Sequence, residues 1–195
     1  MIHRNPDRRV VRTRKLLREA LHSLIREKNY DDIVVKEILD RADVGRSAFY
    51  AHFRDKDELL SSSIEDLLAN LQEIKTNGHQ NRIEAVLWFS LPLLEHIERQ
   101  HAAGGLRMGP RGRSILHQRL KSVLAKLILA QFKKNFGARR NAGVIPGELV
   151  AGYLASTFVL VLDWWVDSKP QIPAKAANEY FRELAVPALK AVASN

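Results

Sequence analysis

Apolar residues recur at intervals of three and four along most of the chain, the spacing that lines one face of a helix. Leu16, Ala20 and Leu24, with Leu17, Leu21 and Ile25, form such a stripe and predict a helix from about Asp7 to Lys28. A short second helix is expected from about Val34 to Arg41, burying Ile38 and Leu39, and a third begins at Gly45 and carries Phe49 and Phe53. A fourth starts after Asp55, whose carboxylate caps it while Glu58 follows three residues later, as in a capping box; it buries Leu59, Leu60, Ile64, Leu67, Leu68 and Leu71. After Asn77-Gly78 the pattern resumes. Helices are expected at about 81–101, 113–136, 146–168 and 173–193, with Pro146 and Pro173 in first turns and breaks at Gly104-Gly105, Gly109-Pro110, Gly137 and Gly143. Ile33-Val34-Val35 is too short to make a sheet alone, so the chain reads as all-α.

Charge adds a direction to this picture. The 195 residues are 46% hydrophobic, enough for one or two small domains with a real core, and 31 basic against 22 acidic groups give a net charge of +9. A balance this basic favours a polyanionic partner, nucleic acid before a membrane surface. The charge is unevenly spread: residues 1–18 hold seven basic groups against Asp7, residues 19–98 hold nine against sixteen, and residues 99–147 hold eleven and no acid. The first cationic region precedes the most informative part of the chain; the second suits a solvated face, a secondary DNA contact or an anion site. The absence of cysteine excludes a disulfide scaffold, a Cys-ligated metal and a thiol nucleophile. No apolar stretch follows the N-terminal arginines as in a secretory signal, and the longest uncharged run, Leu149–Leu162, falls short of the roughly 20 residues that span a bilayer. A cytoplasmic protein without a membrane partner is expected.

Residues Asp32 to Lys56 carry the functional signal. Two short helices joined at Ala42-Asp43-Val44 make a helix-turn-helix: Ala42 allows close approach, and Asp43 tolerates the left-handed backbone of the turn. Val44 and Phe49 anchor the second helix, whose outer face then offers Gly45, Arg46, Ser47, Ala48, Tyr50 and His52 to a major groove.

These residues resemble the N-terminal domain of the tetracycline-repressor (TetR) family: Thr13-Arg14 opening the first stripe, Ile33 to Ile38, Ala42-x-Val44, Phe49-Tyr50-Ala51-His52-Phe53 and Lys56-Asp57-Glu58-Leu59. The resemblance spans about 50 residues. It departs at Val34, where Ser or Thr usually caps a helix, at Gly45, where Ser is frequent, and at Ala48 in place of a frequent Thr, which leaves a methyl group able to meet thymine. It implies a helix-turn-helix domain over residues 9–70, with the motif itself at about 33–53, and a helical effector-binding and dimerisation domain over residues 71–195.

DNA-binding roles are expected of Thr13, Arg14, Lys36, Gly45, Arg46, Ser47, Ala48, Tyr50, His52 and Lys56. Arg46 is the expected base reader, bidentate to guanine. Tyr50, by resemblance, donates to a phosphate, and Lys56 and Lys36 supply charge to the backbone. The family further implies a homodimer that reads a palindromic double-stranded operator and is released from it by a small-molecule effector. Aromatic and apolar residues expected around a largely apolar effector are Trp88, Phe89, Met108, Phe132, Tyr153, Phe158 and Trp165, near a kink where Pro92 frees the Trp88 carbonyl, with Arg107, Arg111 and Arg113 as a cationic rim. The expected dimer interface draws on Ala151, Gly152, Ala155, Val159, Tyr180, Leu184 and Ala188. Glu95, His96, Glu98 and His101 do not make a metal site, since His96 and His101 lie five apart and point in different directions. No catalytic motif and no cofactor signature appears. Alternatives are a non-inducible architectural DNA binder and a helical small-molecule-binding module or enzyme.

Overall fold

The computed structural model describes residues 6–74, 81–137, 145–167 and 172–193, and among them every regular element is helical. The order is α1 (Pro6–Glu27), a 3-10 turn (Tyr30–Asp32), α2 (Val35–Ala42), α3 (Arg46–Tyr50), α4 (Lys56–Ile74), α5 (Arg82–Leu87), α6 (Ser90–Ala102), α7 (Pro110–Phe136), α8 (Gly147–Asp167) and α9 (Ala174–Ala193). The breaks expected at Asn77-Gly78 and Gly143, and Arg4 of the basic arm, lie outside the described residues.

Three boundaries differ from the pattern-based expectation, each for a physical reason. The helix expected over 81–101 is two helices, because Pro92 has no N–H for the Trp88 carbonyl and its ring crowds that carbonyl, so the chain breaks at Trp88-Phe89. α7 starts three residues early, at Pro110, because a distant carboxylate caps it, as described below. Pro146 and Pro173 stand just before α8 and α9, their carbonyls accepting the first helical hydrogen bonds, rather than inside the first turns.

Packing divides the chain into two units. The first comprises residues up to Ile64 together with Gly104–Leu116; the second comprises Glu65–Ala103 and the chain from His117 on. The division expected at residue 70 is therefore replaced by one in which a segment 40 residues further along joins the N-terminal unit. The first core is built from Leu17, Leu21, Ile25, Tyr30, Ile38, Phe49 and Leu59, all buried, with Leu106, Met108 and Ile115 packed against it.

In the second unit α9 packs against α5, α6 and α8. Phe89, Phe158 and Phe181 meet at its centre, fully buried, with centroids 5.2, 6.1 and 5.2 Å apart. Beside them Ser90 Oγ lies 2.6 Å from the Asn178 carboxamide, and Glu98 accepts from the Ala174 N–H at 2.8 Å, capping α9. α8 is long and apolar enough to cross a membrane, but 56% of its most apolar stretch is buried inside this fold, the environment of a core helix. Ala151, Ala155 and Val159, expected at a subunit interface, are interior to the protomer. The face that α8 leaves exposed is instead Leu149, Tyr153, Leu160 and Trp164, spaced four, seven and four apart; it continues onto α9 through Trp164–Tyr180 ring contact at 5.7 Å and a Tyr153 hydroxyl donating to the Leu184 carbonyl at 3.3 Å.

Candidate nucleic-acid interface

The helix-turn-helix is assembled by short-range chemistry. Asp43 ends α2 in the left-handed region (φ 51°, ψ 48°), and the Val44 N–H then returns to the Leu39 carbonyl at 3.1 Å. Val34 offers α2 no side-chain acceptor, as its type dictates, but Glu37 closes half of a capping box by accepting from the Val34 N–H at 3.0 Å. Two ion pairs fasten α2 to the preceding chain: Lys28 to Glu37 at 2.7 Å, and Arg41 to Glu27 at 2.7 Å. The arginine and lysine hydrogen bonds hold both glutamates below the usual carboxylate range. At α4, Asp55 accepts from the Glu58 N–H at 2.8 Å as expected, while Glu58 reaches the Arg54 N–H at 2.7 Å, one residue before the position of a standard box.

Phe49 is buried and directs the rest of α3 outward. Arg46 and Ser47 are exposed, and Tyr50 is 52% exposed, held edge-on to Phe49 at 5.2 Å. Gly45 precedes α3 in extended backbone with open space where a Cβ would stand, so neither strain nor crowding requires glycine there. Ala48 is half-buried in an open groove of about 490 Å³ whose walls include Arg9, Arg12, Thr13 and Val44. This groove joins the basic start of α1 to the turn, so Thr13 shares one surface with α3. Lys36 is exposed on α2. His52 is half-buried against Phe53, 6.4 Å between rings, and Arg14 lays its guanidinium 5.6 Å from the Phe53 ring. Both side chains therefore pack on Phe53.

Lys56 departs from its expected role. Its ammonium donates to three backbone carbonyls, those of Tyr30 at 2.9 Å, Asp31 at 3.0 Å and Ile33 at 2.7 Å, and sits 4.6 Å from the Tyr30 ring centre. All three ammonium protons are thereby used, and the cation ties the 3-10 turn to α4 instead of standing free for a phosphate.

Sequence reasoning missed a second polar cluster. Tyr30, fully buried, donates its hydroxyl to Asp57 at 2.5 Å; burial and the neighbouring carboxylate push its own ionisation far above the ordinary value. Arg111 donates to the other Asp57 oxygen at 2.5 Å. Burial alone would raise the Asp57 carboxyl, but the Arg111 and Tyr30 hydrogen bonds prevail and hold it low. Asp31 accepts from the Arg111 and Gly112 N–H groups at 3.2 and 3.0 Å, capping α7. Only the separation of these partners by 27 to 81 residues hid them; each acid and base was visible in the sequence.

The residues expected around an effector do not gather as one wall. Phe89 and Phe158 close the aromatic core with Phe181, Met108 packs on the N-terminal core, and Tyr153 is exposed on α8. Trp165 donates its indole N–H to the Ile172 carbonyl at 2.8 Å, and Phe132 stacks on Phe136 at 5.1 Å. Trp88 is buried. The expected cationic rim is likewise redistributed: Arg107 donates to the Glu27 carbonyl at 2.7 Å, and Arg111 holds Asp57. Among the described residues no cluster of three or more His, Asp or Glu side chains is arranged to hold a metal.

Residues 17–62 match the family described as bacterial regulatory proteins, tetR family. Over 66 residues the chain is 38% identical to the HTH-type transcriptional regulator YxbF of Bacillus subtilis (strain 168), a match that covers 33% of this chain and 17% of that relative. Across 92% of this chain and 97% of the other, the fold superposes on a TetR transcriptional regulator from Streptococcus agalactiae 2603V with a TM-score of 0.61 at 24% identity. RolR, solved in complex with the ligand resorcinol, superposes with a TM-score of 0.50 at 15% identity, covering 97% and 96% of the two chains. Residues 17–62 thus match the N-terminal domain of the tetR family of bacterial regulatory proteins in sequence, and the helical fold is shared with TetR-family structures along nearly the whole chain.

Proposed function

We propose that the protein is a homodimeric repressor that reads a palindromic operator with α3 and leaves it when a small, largely apolar effector binds. The observation that carries this reading is the outward face of α3, where Arg46, Ser47 and Tyr50 stand exposed on a closed core beside the basic start of α1. Arg46 reads a guanine edge, Ser47 and Tyr50 contact the backbone or a neighbouring base, and the Ala48 methyl meets a thymine methyl. The exposed apolar face shared by α8 and α9 supports self-association, because Leu149, Leu160 and Trp164 together form a patch that a second copy covers by two-fold symmetry. Two recognition helices about 34–36 Å apart then meet successive major grooves, and the operator is an inverted repeat. Acting on DNA, the protein works in the cytoplasm.

Effector release is supported by the like-folded RolR, solved with resorcinol, and by the aromatic interior of the second unit, to which Trp88 and Phe132 contribute buried rings. The effector favours a dimer whose heads no longer match the groove spacing, a shift between pre-existing states. Selection of bound duplexes from a random DNA pool, followed by sedimentation of the complex, tests the reading. An enriched inverted repeat bound by one dimer is expected. Enrichment of nothing, with equal affinity for all sequences, contradicts it and favours an architectural binder.

A further inference from the structure

Gly104–Leu116 lies outside the residues matched to the family's N-terminal domain, yet it packs into that domain. Its attachment is dense and directed at one place. The Tyr30 N–H donates to the Arg107 carbonyl at 2.8 Å, the Arg107 N–H to the Ile25 carbonyl at 2.9 Å, and the Asp31 carboxylate receives the first two free N–H groups of α7. Glycine is required where the segment lands: a Cβ at Gly109 would strike the Asp31 carboxylate, and one at Gly112 would come within 2.7 Å of the Tyr30 ring. The Arg111 side chain is 68% exposed, and an isolated ion pair of that kind contributes little. Asp57 is not isolated, because its other oxygen holds the buried Tyr30 hydroxyl, so the pair fixes a core side chain.

We propose that Arg111 is a positioning residue for DNA recognition: through Asp57 and Tyr30 it fixes the 3-10 turn from which α2, and then the recognition helix α3, depart. This inference deepens the DNA-binding reading and rests on it. The turn is the only covalent lead from α1 into α2, and it is gripped from three sides, by Lys56, by the 107–112 backbone and by the Arg111–Asp57–Tyr30 chain. A displaced turn rotates α3 against the groove, and that error costs binding without touching any phosphate.

The test uses full-length protein and the operator duplex that the wild type selects from a random pool. Arg111→Gln, Asp57→Asn and the double variant are titrated at several salt concentrations, with helicity followed by circular dichroism. Each single variant is expected to bind about tenfold more weakly, equivalent to about 1.4 kcal/mol. The double variant is expected to bind no more weakly than either single, because both break one chain of contacts. The slope of log affinity against log salt stays unchanged. A slope reduced by about 0.9 without coupling to Asp57 makes Arg111 a phosphate contact and overturns the proposal. Full affinity in a folded Arg111→Gln overturns it as well. Should Arg111→Gln lose helicity, Arg111→Lys, which keeps the charge but reaches Asp57 with a single point, is expected to fold and bind with an intermediate loss; full affinity there overturns the proposal. Hydrogen exchange of residues 107–112 in the free protein is expected to quicken in Arg111→Gln, and unchanged protection overturns the joint itself. A wild type that selects no operator defeats the DNA-binding reading before any variant is measured, so the two failures are distinct.

Discussion

Replacing Lys56 with Met keeps the aliphatic stem against Tyr30 and removes only the ammonium, leaving the carbonyls of Tyr30, Asp31 and Ile33 without their donor. A hydrogen bond from a charged donor is worth about 1.5–3 kcal/mol net in a buried setting. Lys56 is only half-buried and a carbonyl that loses it can turn to water, so about 1 kcal/mol for each of the three bonds is the fitting scale. The ring contact at 4.6 Å adds about 0.5–1 kcal/mol. Met packs its stem at a rotamer-entropy cost similar to that of Lys, so little entropy is returned and the net loss is about 3–4 kcal/mol. For a cooperative unit of this size that loss lowers Tm by about 15–20 °C. Calorimetry of the full chain reads this in the transition of the N-terminal unit, and operator titrations across salt concentration read the electrostatic part. A Tm unchanged in Lys56→Met, together with a salt slope reduced by about 0.9, would show the ammonium on a DNA phosphate and refute the staple.

Leu160→Arg, at a side chain 65% exposed on α8, is expected to leave a folded monomer in sedimentation, whereas Ala155→Arg, at a fully buried position, unfolds the protomer. Phe158→Ala opens a cavity between Phe89 and Phe181 and is expected to cost about 3–5 kcal/mol in chemical denaturation. His22 is held below its ordinary pKa by burial, then by Arg26 and Arg18. Its contribution to stability is complete above the unfolded value of about 6.5 and declines as pH falls below it, so His22→Gln is expected to flatten the dependence of Tm on pH between about 7 and 5.

The helices were legible because their causes are local. The period of Leu17, Leu21 and Ile25 wrote α1, Asp43 marked the left-handed residue of the turn, and Pro92 marked the break that became Trp88-Phe89. The outward face of α3 followed from burying Phe49. What stayed hidden depends on partners far apart in the chain. Asp31 caps α7 from 80 residues away, so the start at Pro110 and the membership of Gly104–Leu116 in the N-terminal unit had no local signal. The charge pattern carried a trace of it. The acid-free stretch 99–147 looked like a surface for an external anion, yet Arg111 pairs with Asp57, Arg119 with Glu65 and Lys133 with Glu148. Three of its eleven basic groups thus answer acids elsewhere in the chain, two of them in the middle region. Small residues on α8 misled in a similar way: Ala151 and Ala155 are small because α8 is packed within its own protomer, and the exposed face is written in large residues such as Leu160 and Trp164.

The base recognition proposed for α3 rests on Arg46. It is tested most directly by the affinity ratio of wild type and Arg46→Ala for a selected operator and a scrambled duplex of equal length, measured at one salt concentration. A lost bidentate guanine contact removes about 1–3 kcal/mol from the operator complex alone, so the ratio is expected to fall by about five- to a hundredfold while binding to scrambled DNA weakens only by the loss of one charge. A ratio that survives Arg46→Ala intact would contradict the assignment of base reading to this helix face.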